Sequence, residues 1–295
     1  MLALFSCQNN PRDIRPGQKL FIVTTTGMLG DAVINIAGDS VVVEALMGPG
    51  VDPHLYKATQ GDIRKLTQAD LVIYNGLFLE GKMEEIFERL GKTKPVLAAA
   101  AGIDKAKLRD NAIYQNEYDP HVWFDVQLWK EVVTNVSLKL QKMDSANAQF
   151  YQDNTKIFSN KLDVLHFSVA EQISKIPADQ RVLITAHDAF GYFGDAYQIE
   201  VKGLQGISTQ SEFGLKDITD LVKFISDRQV KAVFVETSVS ERAIRAVVEG
   251  CNEKGFPVII GGYLYSDAMG AKDSEEGTYI GMVMANVNTI VNALK

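Results

Sequence analysis

The run from Ala146 to Ile176 contains neither Gly nor Pro, and it constrains the fold of this 295-residue chain more than any other feature. Within it, apolar residues recur at Phe158, Leu162, Leu165, Val169, Ile173 and Ile176. Steps of three and four residues put them on one face of a helix, which Pro177 terminates. At 1.5 Å rise per residue such a helix is about 45 Å long. It predicts a rod that crosses two domains and restrains their relative motion, because a long packed helix offers no cheap hinge.

Short β-branched runs alternate with amphipathic stretches on both sides of the rod. Before it, strands are predicted at 20–24, 41–47, 71–74 and 96–98, with helices at 29–37, 61–69, 83–90 and 126–143. After it, strands at 182–185, 199–204, 232–236 and 258–262 alternate with helices at 216–227, 241–254 and 278–294. This alternation implies an α/β protein with parallel sheets covered by helices, one set per half. The divisions are a signal remnant and tether at 1–17, a first lobe at 18–145, the bridging helix at 146–176 and a second lobe at 177–295.

Apolar residues at 46% and charged residues at 23% exclude a disordered chain, and no segment offers the apolar run of roughly 20 residues that spans a bilayer. Thirty basic against 37 acidic residues, a net charge of −7 and the lack of any basic stretch exclude nucleic acid as a partner. Two cysteines, Cys7 and Cys251, exclude a disulfide framework and a Cys-rich zinc module. Cys251 is expected to be buried and inert. Met1 to Cys7 reads MLALFSC and resembles the cleavage end of a bacterial lipoprotein signal, although it lacks a basic start; a frayed apolar terminus is the alternative.

The chain has four histidines, and three share a structural address. His54 follows the second strand in GPGVDPHLY, His121 follows the fourth in YDPHVWFD, and His187 follows the strand VLIT in TAHDAFGYF. Ligands of open α/β sheets bind beyond the carboxyl ends of the strands. One such histidine is ordinarily a packing or capping residue; three in a chain with four point to a metal site. His166, in the middle of the rod, is assigned to packing or a solvated flank. The last strand-end loop, GGYLYSDAMG, supplies one carboxylate, Asp267, as a fourth donor. Three imidazoles and a carboxylate suit a divalent transition ion, whereas calcium and magnesium prefer oxygen donors. Four donors close the shell that catalytic zinc leaves open, and no HExxH helix, GxSxG elbow or paired Cys nucleophile occurs, so binding is expected rather than catalysis.

These residues sit in stretches that resemble the zinc/manganese-binding solute receptors of bacterial ABC transporters, the TroA-like family. LMGPGVDPHLY, ADLVIYNGLFLEGKM, DPHVWFD, TAHDAFGYF, GLQGISTQSEFGLKDITDL, VKAVFVETSVS and EEGTYIGMVMANVNTIVNAL carry the likeness, from Leu20 to Leu294. The resemblance implies two (β/α)4 lobes joined by one long bridging helix, with the metal between them and His54, His121, His187 and Asp267 at the family's ligand positions. It also implies an extracytoplasmic protein, in the periplasm or on the cell surface, lipid-anchored through Cys7, that delivers metal to a transmembrane permease. A monomer is expected.

His187 at the third ligand position favours zinc over manganese on ligand softness. The stretch IDKAKLRDNAIYQNEYDP lacks the His-rich loop that many zinc receptors carry there, which leaves manganese or dual use open. Asp188 and Glu236 are the candidates for orienting the imidazoles, against ordinary roles as a helix cap and a strand-end charge. Two other readings stand beside transport: a zinc-dependent hydrolase in which water replaces one donor, and a surface adhesin whose metal is structural.

Overall fold

The computed structural model describes residues 19–111 and 117–295. In the first half, β1 (Leu20–Thr24), β2 (Val41–Ala45), β3 (Leu71–Tyr74) and β4 (Val96–Ala98) form a parallel sheet in the order β2-β1-β3-β4. The connecting helices are α1 (Gly27–Ala37), α2 (Gln60–Gln68) and α3 (Glu84–Gly91). A long loop then leads to α4 (Val126–Met143). The termini of these helices are set by local side chains. Thr59 and Asp62 form a reciprocal capping box at α2, and Asp125 caps α4 by accepting from Gln127 N at 2.8 Å.

The rod is α5 (Ala148–Ser174), two residues shorter at each end than the pattern predicts. Every apolar position of the predicted stripe from Phe158 to Ile176 is buried, and Tyr151 extends the stripe by two turns. α5 packs against α1 and α4 of the first half and α6 (Gly191–Tyr197) and α9 (Tyr279–Leu294) of the second. One apolar core therefore runs through both halves, from Leu20 and Trp129 to Phe190 and Ile290.

The second half continues with β5 (Val182–His187), α6, β6 (Glu200–Gln205), α7 (Leu215–Arg228), β7 (Ala232–Glu236), α8 (Arg242–Glu253), β8 (Ile259–Leu264) and α9. Its strands are parallel, but they hydrogen-bond as two pairs, β5-β6 and β7-β8. β5 runs beside β7 without a continuous ladder. At the splayed end, the side chain of Glu236 accepts from His187 N at 2.9 Å, so a carboxylate takes a main-chain donor that a strand would otherwise satisfy. Cys251 is a buried free thiol on α8, pushed up by burial. His166 on α5 is half-buried, with Nδ1 3.1 Å from the Tyr197 hydroxyl. Cys7 and the tether lie outside the described residues. No helix among the described residues is long and apolar enough to cross a membrane.

Candidate metal centre

All four predicted donors stand at carboxyl ends of strands, and the structure brings them together. His54 lies in the loop after β2 and His121 in the loop after β4; His187 is the last residue of β5, and Asp267 lies three residues beyond β8. One donor atom from each falls within 4.8 Å of every other, and all four side chains are buried. His54 Nε2 is 3.2 Å from His121 Nε2, while Asp267 reaches His121 Nε2 with Oδ1 and His187 Nε2 with Oδ2, both at 3.4 Å. In a tetrahedral shell with bonds of about 2.05 Å, neighbouring donors are about 3.3 Å apart. With Oδ1 as the Asp267 donor, two edges of the cluster already have that length, and Oδ2 stands at the same distance from His187.

The two Asp-Pro-His copies fold alike in the backbone and differently in the side chain. Asp52 Oδ1 accepts from His54 N at 2.8 Å, and Asp119 Oδ1 accepts from His121 N at 2.9 Å, each closing a tight turn that projects the imidazole. In the second copy the same Asp119 oxygen also lies 2.7 Å from His121 Nδ1. That contact makes Nδ1 the protonated nitrogen and leaves the Nε2 lone pair for the centre. In the first copy the spare oxygen of Asp52 instead accepts from Thr209 Oγ1 at 2.6 Å, across to the second half. Gln210 Nε2 donates to His54 O at 3.0 Å from the same side. Gly50, at φ 71°, passes so close that a Cβ there would lie 3.3 Å from Thr237 O of the second half.

His187 receives the corresponding support from Glu236. Its Nδ1 lies 2.5 Å from Glu236 Oε2, off the line of a well-aligned hydrogen bond, while Oε1 holds the main chain of the same residue. Asp188, the other orienting candidate, is half-buried beside Asp119, and no hydrogen bond joins it to an imidazole nitrogen among those described. Asp119 takes the place the sequence suggested for Asp188. Tyr192 of α6 donates to Asp119 O at 2.9 Å and accepts from Arg109 N at 3.0 Å, and Arg109 reaches over to Asp195 of the same helix.

Charge in this pocket is strongly organised. Burial opposes an imidazolium at His121, but Asp119 and Asp267 outweigh it and lift the group to about 9. His187 is likewise held well above the ordinary histidine range: burial acts against it, and Glu236 with Asp267 prevails. Asp267, despite burial, is pulled well below the carboxylate range by His187 and His121. No carboxylate among the described residues hydrogen-bonds to the His54 ring, and burial pushes it down to about 3 against the opposing pull of Asp267. A divalent cation would replace two protons bracketing one carboxylate, which is the donor chemistry such an ion requires.

A cavity of about 290 Å³ opens above His54, lined by Leu77, Phe78 and Tyr118 on one side and Ile207, Ser208 and Gln210 on the other. Leu77 and Phe78 both have left-handed backbones, at φ 54° and 65°, directly after Gly76 at 85°. Bulky residues cost roughly 1–3 kcal/mol each in that region. The turn is held from below by buried Glu80, which accepts from Thr25 Oγ1, Asn75 N and Gly76 N.

Two parallel-sheet lobes on a shared helix, with a cleft floored by donors from both, make a cleft-binding receptor. The chain belongs to the ZnuA family, zinc-uptake complex component A, periplasmic, whose model matches residues 22–293. It is 49% identical to the manganese-binding lipoprotein MntA of Bacillus subtilis, over 99% of this chain and 95% of that protein. It is 44% identical to the zinc-binding protein TroA of Treponema pallidum, over all of this chain and 95% of the relative. The solved structure of the periplasmic zinc-binding protein TroA from Treponema pallidum superposes with a TM-score of 0.91 at 46% identity, covering 94% of this chain and 99% of that one. That likeness covers the two-lobe α/β architecture with its long bridging helix.

Proposed function

We propose that this protein is the extracytoplasmic receptor of a metal ABC transporter, capturing a divalent transition ion with His54, His121, His187 and Asp267 and delivering it to a membrane permease. The observation that carries this reading is the convergence of four buried donors, two from each half, at the floor of the cleft. Zinc is the favoured cargo and manganese the alternative. Three imidazoles favour zinc by affinity order, while the relatives' names divide between the two metals. Four protein donors leave no open position of the kind catalytic zinc reserves for water, which supports carriage rather than catalysis.

The wider arrangement follows from the same reading. Residues 18–145 and 177–295 serve as the lobes, 146–176 joins them, the protein acts as a monomer, and Cys7 is the lipid anchor. Because the apolar core is shared across the halves, capture relies on small movements around the cleft rather than wide domain swings.

Elemental analysis of protein purified without added metal, followed by competition titrations with Zn²⁺ and Mn²⁺, tests the cargo. A metal at a thousandfold excess over Kd stabilises the fold by about 4 kcal/mol. His187→Ala is expected to abolish most of the accompanying rise in Tm. An undiminished rise in that variant would overturn the site assignment.

A further inference from the structure

We propose that Ser238 controls how many oxygens Asp267 offers to the metal, and thereby sets the balance between zinc and manganese. This deepens the receptor reading and rests on it. The carboxylate of Asp267 straddles two imidazoles, with Oδ1 3.4 Å from His121 Nε2 and Oδ2 3.4 Å from His187 Nε2. Both oxygens therefore face the space where the donors converge. They are not equivalent, because Oδ1 has no hydrogen-bond partner among the described residues, whereas Oδ2 accepts from Ser238 Oγ at 3.3 Å.

One arrangement gives both hydroxyls behind Asp267 an acceptor among the described residues. Either oxygen of the Ser238–Ser266 contact, 2.8 Å, can donate, but Ser238 Oγ is the acceptor within reach of Ser266 Oγ, which leaves the Ser238 proton for Oδ2 of the acceptor-only carboxylate. Ser266 is itself fixed: its carbonyl accepts from Trp123 Nε1 at 2.9 Å, and the Trp123 carbonyl accepts from the Tyr279 hydroxyl at 2.7 Å. A polar chain from α9, through a tryptophan of the first half, thus ends on one oxygen of the one carboxylate donor.

An oxygen whose lone pair is engaged by a hydroxyl proton is a weaker donor to a cation. With one lone pair of Oδ2 engaged, Oδ1 is the stronger donor of Asp267, and three nitrogens with Oδ1 form a shell that zinc accepts as a tetrahedron. Manganese prefers more oxygen ligands and gains most from a second carboxylate contact. Ser238 weakens that contact and so selects against manganese.

The test compares wild type with Ser238→Ala and Ser238→Thr, by Zn²⁺ and Mn²⁺ competition titrations and by the visible spectrum of the Co²⁺-substituted proteins. Releasing a hydrogen bond to a charged acceptor is worth about 1.4 kcal/mol, or about tenfold in a binding constant. Ser238→Ala should lower the zinc-over-manganese ratio about tenfold and replace the intense four-coordinate Co²⁺ bands with weaker five-coordinate ones. Ser238→Thr, which keeps the hydroxyl, should retain both wild-type properties. Ser238→Cys, nearly isosteric and a poorer donor, is read in place of the alanine variant should that one not fold. Wild-type protein that binds metal, with an unchanged ratio and spectrum in the donor-deficient variant, overturns the proposal; wild-type protein that binds no metal overturns the receptor reading itself.

Discussion

Metal uptake by this protein should be a proton exchange, and Asp119→Asn should change its stoichiometry. His121 is lifted to about 9, chiefly by Asp119 once burial is outweighed, so at pH 7 the metal-free centre holds a proton where the cation must bind. Displacing it at pH 7 rather than pH 9 costs two pH units, about 2.7 kcal/mol or about a hundredfold in affinity. His187 is raised in the same sense, and His54, held near 3, is neutral throughout this window. Wild type should therefore release about two protons per metal at pH 7, and its affinity should climb steeply between pH 7 and 9. Asp119→Asn removes the charge that holds one of those protons, so release should fall to about one and the pH profile should flatten. Above pH 9, as proton competition at His121 fades, the same variant should bind metal about 10–100-fold more weakly than wild type through loss of imidazole basicity. Titration calorimetry in buffers of different ionisation heat counts the protons directly. Wild-type release near zero, with affinity flat from pH 7 to 9, would refute the reasoning. The metal-free fold should respond in the opposite sense. A histidine raised from 6.5 to about 9 contributes stability that is fully present below pH 6.5 and is lost as pH rises through 9, roughly 3 kcal/mol in all. Metal-free Tm should thus fall over the range in which metal affinity rises.

Two further outcomes follow from the packing. Leu162 lies at the centre of the buried α5 stripe, and Leu162→Ala should destabilise both halves in one transition by about 2–5 kcal/mol, seen as a single shifted denaturation curve; two separated transitions would contradict a shared core. Thr209→Val removes the hydroxyl that holds Asp52, freeing the His54 loop, and should speed metal release about tenfold in stopped-flow mixing with a chelator while leaving Tm of the metal-free protein nearly unchanged.

The convergence of His54, His121, His187 and Asp267 is legible because the histidines are rare in this chain and all four are placed by the same rule. His54 and His121 sit behind Asp-Pro, where the turn can be read from residue type, and His187 and Asp267 follow runs that read as strands. The supporting groups were only partly legible. Glu236 stands out as a buried-strand carboxylate, whereas the choice between Asp119 and Asp188 depends on which oxygen reaches Nδ1, and that is set by side-chain rotation within a packed loop. The two Asp-Pro-His copies make the point sharply: identical triplets give one carboxylate on an imidazole and one on a threonine 157 positions away. No local pattern announces Thr209. α6 also escaped the periodicity reading, since its seven residues, GYFGDAY, include two glycines and span barely two turns. The second sheet splits into two pairs, and at the end of β5 the Glu236 side chain accepts from His187 N; strand propensity encodes neither.

These differences in support rank the four proposed donors by how readily each would yield an ion. His187 ends a buried strand and is gripped by Glu236 at both its main chain and its ring. Asp267 is tied through Ser238 and neighbours Ser266, which Trp123 and Tyr279 fix within the shared core. His121 is held by Asp119, which the Tyr192 hydroxyl and the Arg109 side chain flank in turn. His54 alone has no carboxylate among the described residues hydrogen-bonded or ion-paired to its ring, and its loop is fastened to the second half by two polar contacts, from Thr209 and Gln210. The cavity lies against this same residue, beside the strained Leu77–Phe78 turn. A continuous core forbids wide separation of the halves, so exchange has to be local, and the cheapest local step is to break two hydrogen bonds and withdraw one uncharged imidazole. At the proposed site, three donors would then retain the ion on the second half and the His121 loop while water enters from the cavity side, so that the receptor releases its cargo without unfolding its core.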